Sequence, residues 1–338
     1  MKKSRFAVIG TNFITDRFLT AAALCPSFIL EAVYSRTEKT GREFAQKYNC
    51  SKVYTSLESM VKDPDIDAVY IASPTAMHAR HAMICLEGGK HVLCEKPLCS
   101  TGEQAEKLFA VAGEKGVLLA EAMRPLYTPA FGCLKELLPR IFPLRQVSLT
   151  FCQYSSRYDK FKAGIVENAF RPELSNGALM DIGSYCMAYL AELFGMPEKI
   201  QSTGWILPGS IDGCGTLVAR YGDFLATVQY SKITGLDEPS VFMGEKGNLF
   251  IDQISAPRVV RLQLRGEEEQ VFDFRCGLPD MYYEGRRVLA QITGEKAESK
   301  DPEIAFADHE TASLVTMRIL DEMRRQIGIV FPDDSYKL

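Results

Sequence analysis

The chain has 338 residues, of which 46% are hydrophobic and 24% are charged, and its formal net charge is −4. This length and composition are typical of a globular protein with two domains, and the small negative charge gives no reason to expect a nucleic-acid partner. No stretch reaches the roughly 18 consecutive apolar residues of a membrane span, and no targeting segment precedes the first strand. We therefore expect a cytoplasmic protein without a membrane partner.

The ten cysteines are scattered along the chain, with no C-x-x-C pair and no histidine at the spacing of a zinc site. This distribution argues against a disulfide framework and against a metal centre. We expect reduced thiols and no bound metal.

Short apolar strands alternate with amphipathic helices over the first third of the chain. The predicted strands cover 6–10, 28–35, 52–54, 67–72 and 117–121, and one further strand begins at 92. The first predicted helix follows the segment 11–15 and ends at about 24, and the others cover 38–47, 75–87, 101–114 and 128–138. Because parallel neighbours need a crossover helix between them, this alternation predicts a doubly wound parallel sheet. We assign residues 1–124 to this first domain.

The pattern changes at Leu144, where longer strands with alternating polarity begin. The predicted strands there cover 146–154, 216–220, 224–231, 241–242, 248–251, 259–264 and 270–274, and a terminal helix covers 303–325. Strands with little helix between them favour an open, mainly antiparallel sheet, and Tyr221-Gly222-Asp223 indicates a hairpin turn. We assign residues 125–338 to this second, α+β domain, with the terminal helix either inside it or packed back between the domains.

The turn after the first strand departs from the dinucleotide fingerprint G-x-G-x-x-G, because Asn12 and Thr15 follow Gly10 at the other two glycine positions. Asparagine tolerates the left-handed conformation better than other residues with a side chain, so Asn12 can still make the turn. The first N–H groups of the following helix can still receive a pyrophosphate. The cofactor-binding residues expected from this loop are Gly10, Thr11, Asn12, Phe13 and Ile14.

The second strand ends in Tyr34-Ser35-Arg36-Thr37, without the carboxylate that an NAD-preferring site places there for the ribose 2′-hydroxyl. An arginine with two hydroxyls suits a 2′-phosphate, because a guanidinium can bind the phosphate with two hydrogen bonds and stack on the adenine. Ser35, Arg36 and Thr37 thus predict NADP(H) in preference to NAD(H). The alternative is a solvated arginine in a loop.

The segment Val92-Leu93-Cys94-Glu95-Lys96-Pro97-Leu98 is an apolar strand that runs into a carboxylate, an ammonium and a proline. In an open parallel sheet, ligands bind outside the carboxyl ends of the strands, so Glu95 and Lys96 are expected at the ligand crevice. Pro97 ends the strand, because it has no N–H group for a ladder. The alternative is that Glu95 and Lys96 only cap the strand end.

Asp181 is an anomaly in the run from Ala178 to Phe194, which is nearly all apolar and predicts a buried helix. Tyr185 follows four residues later and shares its helical face. A carboxylate in such a run is unfavourable unless it is paired, and an ammonium such as Lys96 would supply the missing partner. The alternative is a carboxylate that caps a neighbouring loop.

Taken together, these motifs resemble the glucose-fructose oxidoreductase and inositol dehydrogenase (Gfo/Idh/MocA) family of nicotinamide-dependent oxidoreductases, from the first strand to the terminal helix. Two further motifs carry the resemblance: Ala72-Ser73-Pro74-Thr75 with His78, and Glu121-Ala122-Met123-Arg124 with Pro129. Within the family, Tyr185 makes the chain look most similar to the branch of dimeric dihydrodiol dehydrogenase, 1,5-anhydrofructose reductase and xylose dehydrogenase.

The resemblance implies a Rossmann domain followed by an α/β domain whose open sheet pairs subunits into a homodimer, or a tetramer. It implies that Lys96 is the central catalytic residue, with Asp181 and Tyr185 facing it across the cofactor, and that the Lys96–Pro97 bond is cis as in some relatives. The residues that it places near the cofactor are Ser73, Pro74, Thr75, His78, Glu95 and Lys96.

The predicted reaction is hydride transfer between NADP(H) and a carbinol or carbonyl carbon of a sugar, a polyol or a vicinal diol. A carbinol loses a hydride only as its hydroxyl loses a proton, so the site needs a proton acceptor. Either Tyr185 is that group, with Lys96 assisting and Asp181 orienting the pair, or Lys96 carries the proton itself, since a cationic nicotinamide and partial burial should lower the pKa of Lys96.

The substrate region is expected to include three arginines, Arg124, Arg157 and Arg171, although the latter two could equally pair at the surface. The sequence does not select one substrate within the class. The alternative function is a non-catalytic redox sensor that binds NADP(H), which would have no need to keep Lys96, Asp181 and Tyr185 together.

Overall fold

The structure, a computed structural model, describes residues 2–295 and 309–338. The chain divides into two compact units. The first contains Met1–Ala122, Gly277–Glu310 and Lys337–Leu338, and the second contains Met123–Cys276 and Thr311–Tyr336. The predicted boundary at residue 124 lies close to the observed one. The predicted second domain, 125–338, is not continuous, however, because Gly277–Glu310 belongs to the first unit.

Strands and helices are numbered along the chain. The strands are β1 (Ser4–Ile9), β2 (Phe28–Tyr34), β3 (Lys52–Tyr54), β4 (Ala68–Ile71), β5 (His91–Glu95), β6 (Leu119–Ala122), β7 (Leu144–Cys152), β8 (Lys199–Leu207), β9 (Ile211–Tyr221), β10 (Phe224–Ser231), β11 (Ser240–Gly244), β12 (Gly247–Ile251), β13 (Val259–Leu264) and β14 (Gln270–Asp273). The helices are α1 (Phe13–Ala22), α2 (Glu38–Lys47), α3 (Leu57–Val61), α4 (Thr75–Glu87), α5 (Gly102–Lys115), α6 (Pro129–Leu137), α7 (Tyr158–Lys162), α8 (Ser184–Phe194), α9 (Tyr282–Thr293) and α10 (Glu310–Ile327).

In the first unit, β1 to β6 form one sheet in the order β3-β2-β1-β4-β5-β6, and every neighbouring pair is parallel. The predicted doubly wound parallel sheet is confirmed. The strand order reverses between β1 and β4, and ligands of such sheets bind at this reversal, outside the carboxyl ends of the strands. The residues that end these strands or follow them therefore build the candidate site of the first unit.

The core of the first unit explains why the chain returns to it at residue 277. Phe18 of α1 stacks on Tyr70 of β4, with ring centroids 3.8 Å apart. Val288 and Leu289 of α9 are buried in the same core cluster. The sequence analysis did not predict α9, because the surface against which its apolar residues pack comes from the other end of the chain.

In the second unit, β7 to β14 form one sheet in the order β14-β13-β12-β11-β7-β10-β9-β8. Its neighbouring pairs are antiparallel except β7 with β10, which are parallel. The predicted mainly antiparallel sheet is confirmed, as is the hairpin at residues 221–223, since Tyr221 of β9 pairs with Phe224 of β10. The edge strand β8 was not predicted, because two of its inward positions are Ser202 and Gly204, which interrupt the apolar alternation.

The run from Ala178 to Phe194 is helical and largely buried, as predicted, but it is not one regular helix. A π-helical turn at Leu179–Gly183 precedes α8. Such turns are rare and occur frequently at functional sites. Asp181 lies in this turn and Tyr185 lies at the beginning of α8.

The terminal helix α10 covers Glu310–Ile327, whereas the predicted helix began at residue 303, and 303–308 lie outside the described residues. Gln326 of α10 accepts a hydrogen bond of 2.8 Å from the Ser202 N–H and donates one of 2.9 Å to the Ile200 carbonyl oxygen. These bonds attach the helix to β8. Within the part of the chain that the structure describes, no helix has the length and apolar character to cross a membrane.

Candidate active site

The turn after β1 requires a glycine at position 10. Gly10 has a φ of +108°, and a Cβ atom there would lie 2.5 Å from the Ala72 carbonyl oxygen. A side chain at this position would therefore clash with backbone. The ends of β1 and β4 approach each other closely, as expected where a phosphate-binding turn meets the strand next to it.

Asn12 does not adopt the left-handed conformation that the sequence analysis assigned to it. Its backbone is extended, with φ −112° and ψ 177°, and it is the N-cap of α1. Its Oδ1 accepts hydrogen bonds from the N–H groups of Ile14 and Thr15, and its Nδ2 donates to the Ala72 carbonyl oxygen over 2.7 Å. The prediction of a left-handed turn was wrong, because Asn12 compensates for the missing glycine with its side chain.

Thr15 occupies the place of the third glycine. It is fully buried, and its hydroxyl donates a hydrogen bond of 2.9 Å to the Gly10 carbonyl oxygen. Among the described residues, no protein acceptor is present for the N–H groups of Asn12 and Phe13. These two N–H groups, at the positive end of α1, suit an anion such as a pyrophosphate.

Arg36 is exposed after the end of β2, while its neighbours are engaged in the fold. Ser35 is buried, and the Thr37 hydroxyl caps α2 by accepting from the Thr40 N–H. The next carboxylate along the chain, Glu38, pairs with Arg42 at 2.5 Å. The end of β2 thus presents a guanidinium where an NAD-preferring site presents a carboxylate.

His78 is buried and joins the loop after β4 to the loop after β5. Its two ring nitrogens lie 3.0 Å from the Pro97 carbonyl oxygen and 2.7 Å from the Ser73 carbonyl oxygen. Burial lowers the pKa of His78. The sequence analysis missed His81, whose Nδ1 lies 2.9 Å from the Ser73 hydroxyl. Ser73 and the exposed Pro74 precede α4, and Thr75 is its first residue and is buried.

Two carboxylates hold the backbone on either side of Lys96. Glu95 accepts a hydrogen bond of 2.7 Å from the Tyr70 hydroxyl and one of 3.3 Å from the Lys96 N–H. Glu121 accepts one of 2.9 Å from the Leu98 N–H. The Lys96–Pro97 peptide bond is cis. Lys96 is half-buried directly after the carboxyl end of β5, which is where the sequence placed it.

In the second unit, Asp181 is paired with an ammonium that the sequence did not single out. Lys232 Nζ lies 2.7 Å from Asp181 Oδ2, with the lysine side chain 4% exposed and the aspartate side chain 31% exposed. The sequence analysis offered Lys96 as an example of such a partner, whereas Lys232 lies in the same unit. No local pattern could reveal it, because the two residues are 51 positions apart.

Tyr185 is buried beside Arg124. The Arg124 guanidinium carbon lies 5.7 Å from the centroid of the Tyr185 ring, and its Nε donates to the Ser255 carbonyl oxygen over 3.0 Å. The Phe151 ring packs edge-on against the Tyr185 ring, with centroids 5.6 Å apart. The Tyr185 ring thus packs against Arg124 and Phe151, and all three residues belong to the second unit, as does Asp181.

The other two predicted substrate arginines differ in their surroundings. Arg157 pairs with Glu167 at 3.4 Å, which is the surface pairing given as its alternative. Arg171 is exposed and follows the short 3-10 turn Asn168–Phe170.

Asp212, which the sequence analysis did not single out, lies fully buried beneath the π-helical turn. Its Oδ2 accepts a hydrogen bond of 2.7 Å from the Leu179 N–H. Burial raises the pKa of Asp212 to about 6, against the opposing effects of this hydrogen bond and of Lys232. Asp212 thus caps the turn that carries Asp181.

A six-stranded parallel sheet of this order, with a glycine turn after its first strand, is typical of a dinucleotide-binding fold. Residues 4–123 match the model of the oxidoreductase family with an NAD-binding Rossmann fold, Gfo/Idh/MocA. The chain is 42% identical to the scyllo-inositol 2-dehydrogenase (NADP(+)) IolU of Bacillus subtilis over 98% of this chain and 99% of the relative. It is 39% identical to the uncharacterized oxidoreductase YgjR of Escherichia coli, over 99% of each.

The chain therefore belongs to the Gfo/Idh/MocA family of oxidoreductases, and its first unit is an NAD(P)-binding Rossmann fold. The resemblance drawn from the sequence is confirmed. The suggested branch is represented by the trans-1,2-dihydrobenzene-1,2-diol dehydrogenase of Mus musculus, 30% identical over 98% of this chain and 99% of that protein. The inositol dehydrogenase has the higher identity of the two.

Solved structures share the fold of the whole chain. KijD10, a 3-ketoreductase from Actinomadura kijaniata in complex with NADP and TDP-benzene, superposes with a TM-score of 0.79 at 24% identity, covering 96% of this chain and 98% of that one. At this identity the likeness shows the fold alone.

Proposed function

We propose that the protein is an NADP(H)-dependent oxidoreductase that moves a hydride between the nicotinamide C4 and a carbinol or carbonyl carbon of a polyol, a sugar or a vicinal diol. The observation that carries this proposal is the set of side chains at the carboxyl edge of the parallel sheet. Gly10 follows β1, Arg36 follows β2 and Lys96 follows β5. The turn at Gly10 can bind a pyrophosphate, and the Arg36 guanidinium can bind a 2′-phosphate. The Lys96 ammonium can bind the oxygen of the reacting carbon.

The preference for NADP(H) is supported by Arg36 and by the relatives. The guanidinium is exposed, and the nearest carboxylate on the same segment, Glu38, is already paired with Arg42. The Bacillus subtilis relative is named for NADP(+). A site with an exposed cation and a neutralised carboxylate favours the extra phosphate.

The substrate class is supported by the names of two relatives. Scyllo-inositol and trans-1,2-dihydrobenzene-1,2-diol are both six-membered rings on which a secondary alcohol has a hydroxyl on the next carbon. We infer that the preferred substrate is a cyclic vicinal diol, or the ketone that its oxidation produces.

The residues proposed for the chemistry are Lys96, Asp181 and Tyr185. A bound nicotinamide accepts or supplies the hydride. Tyr185 takes up the hydroxyl proton of the alcohol, or returns it to the ketone oxygen, while Lys96 binds that oxygen and stabilises its developing negative charge. Asp181 orients the two groups. In the second assignment Lys96 carries the proton and Tyr185 binds the oxygen.

The proposal is tested with purified protein, NADP⁺ or NAD⁺, and a panel of scyllo-inositol, xylose and a trans-dihydrodiol, together with NADPH and diketones in the reverse direction. We expect NADP⁺-dependent oxidation of a cyclic vicinal diol. In Lys96→Met and Tyr185→Phe we expect kcat to fall by about a hundredfold or more, with NADPH binding retained by fluorescence. Lys115→Met, an exposed lysine at the end of α5, is the control and should keep its rate.

The outcomes separate the two functions. NADPH binding without turnover on the whole panel would favour the redox sensor, and failure to bind either nucleotide would contradict both. The variant that loses the pH dependence of its residual rate identifies the proton carrier.

We also propose that two copies of the chain pair through the open face of the eight-stranded sheet. A row of neighbouring residues crosses that face: Val271, Arg261, Phe250, Val241, Ser148, Thr227 and Val218. Trp205, Leu225 and Val218 on this face are 66%, 44% and 40% exposed. An apolar surface of this kind on a sheet marks an interaction site.

Light scattering tests the pairing. We expect a dimer, and a monomer for the double variant Val218→Glu and Leu225→Glu. Val330→Glu, at a valine of the same unit that is 72% exposed, is the control and should leave the mass unchanged. A wild-type protein that is monomeric at every concentration would contradict the pairing but not the activity.

A further inference from the structure

Lys232 is a buried lysine that the proposed chemistry does not yet use. It follows the last residue of β10 and is 3% exposed. Its ammonium donates to Asp181 Oδ2 over 2.7 Å and to the Ala169 carbonyl oxygen over 3.0 Å. It also lies 5.0 Å from the centroid of the Phe170 ring. A buried ammonium is strongly unfavourable unless it is paired, and these three contacts provide the pairing.

We propose that Lys232 is a positioning residue of the active site, which keeps the Asp181 carboxylate ionised and fixes its direction. This inference rests on the proposed function, in which Asp181 orients the two groups that exchange the proton. Lys232 contacts Asp181 from the side of the sheet, so the residue acts on the reaction through Asp181.

The same ammonium also connects two segments of the second unit. Ala169 and Phe170 belong to the 3-10 turn that immediately precedes Arg171, and Asp181 lies in the π-helical turn. Lys232 thus holds both the Asp181 carboxylate and the turn that precedes Arg171. Because a small misplacement of a catalytic constellation lowers the rate strongly, loss of this connection should affect turnover as well as stability.

A second carboxylate faces Lys232. Asp212 is fully buried, caps the π-helical turn through the Leu179 N–H and interacts electrostatically with Lys232. Removal of the ammonium would leave two carboxylates without its positive charge. Asp181 should then take up a proton at a higher pH than before, because an uncompensated carboxylate holds its proton more tightly.

The test uses the full-length chain in five forms: wild type, Lys232→Met, Lys232→Arg, Asp181→Asn and the double variant Lys232→Met with Asp181→Asn. The matched control is Lys90→Met. Lys90 is also a buried lysine, 8% exposed, but its ammonium donates to the carbonyl oxygens of Asp63 and Ile66 in the first unit. Activity, its pH profile, NADPH affinity and the thermal unfolding midpoint are measured for each form.

For Lys232→Met we expect a fall in kcat of about a hundredfold, and an acidic limb of the kcat profile that moves up by about one pH unit. NADPH affinity should change by less than about threefold, since the side chain of Lys232 contacts Asp181, Ala169 and Phe170 of its own unit. Lys232→Arg keeps the charge and should restore the acidic limb. The double variant should be no slower than the slower single variant, because both changes disable the same ion pair between Lys232 and Asp181.

The thermal unfolding midpoints test the ion pair between Lys232 and Asp181 independently of activity. Each single variant should lose about 5 to 10 °C, since it removes one partner of the ion pair, and the double variant should recover part of this loss. Lys90→Met should also lose stability but keep the wild-type kcat and pH profile.

Two results would overturn the inference while the proposed function stands. One is an active wild type with a Lys232→Met variant that matches Lys90→Met in kcat and pH profile. The other is an additive loss of stability in the double variant. A wild type that turns over no substrate with either nucleotide would instead contradict the proposed function, and the positioning role with it.

Discussion

The Tyr70 hydroxyl donates a hydrogen bond of 2.7 Å to Glu95 Oε1, and both side chains are buried where the neighbouring strands β4 and β5 end. The other oxygen of Glu95 accepts from the Lys96 N–H. Tyr70 therefore supports the residue that sets the backbone direction at Lys96. The interaction links the core of the first unit, where Tyr70 stacks on Phe18, to the residue proposed to bind the reacting oxygen.

Tyr70→Phe should reduce both stability and turnover. The substitution keeps the ring but removes the hydroxyl that donates to the buried Glu95 Oε1, which costs about 1 to 3 kcal/mol of unfolding free energy. We expect urea unfolding at a lower midpoint and a lower kcat. Tyr54→Phe is the control. The Tyr54 hydroxyl donates a hydrogen bond of 2.7 Å to Asp63, and neither residue adjoins Lys96 in the sequence. Equal effects of the two variants on kcat would contradict a role for Tyr70 in placing Lys96.

Arg36→Ala should weaken NADPH binding and leave NADH binding unchanged. The guanidinium is proposed to bind the 2′-phosphate, which NADH lacks, so we expect the KM for NADPH to rise by about tenfold or more. Arg145→Ala, at an exposed arginine of β7 in the second unit that pairs with Glu245, is the control. A parallel rise of both KM values would show that Arg36 does not discriminate between the two nucleotides.

His81 should make the first unit sensitive to acid. Burial lowers the pKa of His81 from 6.5 to about 4. The unfolded chain therefore binds a proton more tightly than the folded one, and stability that is present above pH 6.5 is lost as the pH falls towards 4, by about 3 kcal/mol.

His81→Asn tests this dependence, because the Asn side chain can keep the contact with the Ser73 hydroxyl but does not titrate. The unfolding free energy of the variant should decline less steeply between pH 6.5 and 4 than that of the wild type, with the difference at pH 8 as the baseline. Identical slopes would mean that another group causes the acid sensitivity.

Asp212 should reduce the stability of the fold as the pH rises, which is the opposite of the effect expected of His81. Burial raises the pKa of Asp212 from 3.8 to about 6. The folded state holds this proton more tightly than the unfolded one, so the favourable contribution is complete below pH 3.8 and is lost as the pH rises through 6, by about 3 kcal/mol. Asp212→Asn keeps an acceptor for the Leu179 N–H without the charge.

The Asp212→Asn variant should therefore match the wild type near pH 4 and exceed its unfolding free energy increasingly up to pH 7. Chemical denaturation at several pH values measures the difference. A difference that does not vary with pH would show that Asp212 ionises alike in the folded and unfolded chain.

The local pattern of the sequence determined much of the fold and part of the site. The alternation of strands and helices predicted the parallel sheet, the Tyr221-Gly222-Asp223 turn marked a hairpin, and a charged strand end located Glu95 and Lys96. Such features are readable because apolar periodicity and turn chemistry act between residues that are neighbours along the chain.

The tertiary structure decided the rest, because the remaining partners are distant in sequence. Lys232 contacts Asp181 only when β10 lies beside the π-helical turn. Tyr70 contacts Glu95 only in the assembled sheet. The apolar residues of α9 are buried only when the chain returns to the first unit. The role of Asn12 also changed, since its side chain could reach the Ala72 carbonyl oxygen only after β1 and β4 had paired. Contacts of this kind depend on how whole elements pack, and no periodicity along the chain encodes which two side chains will meet.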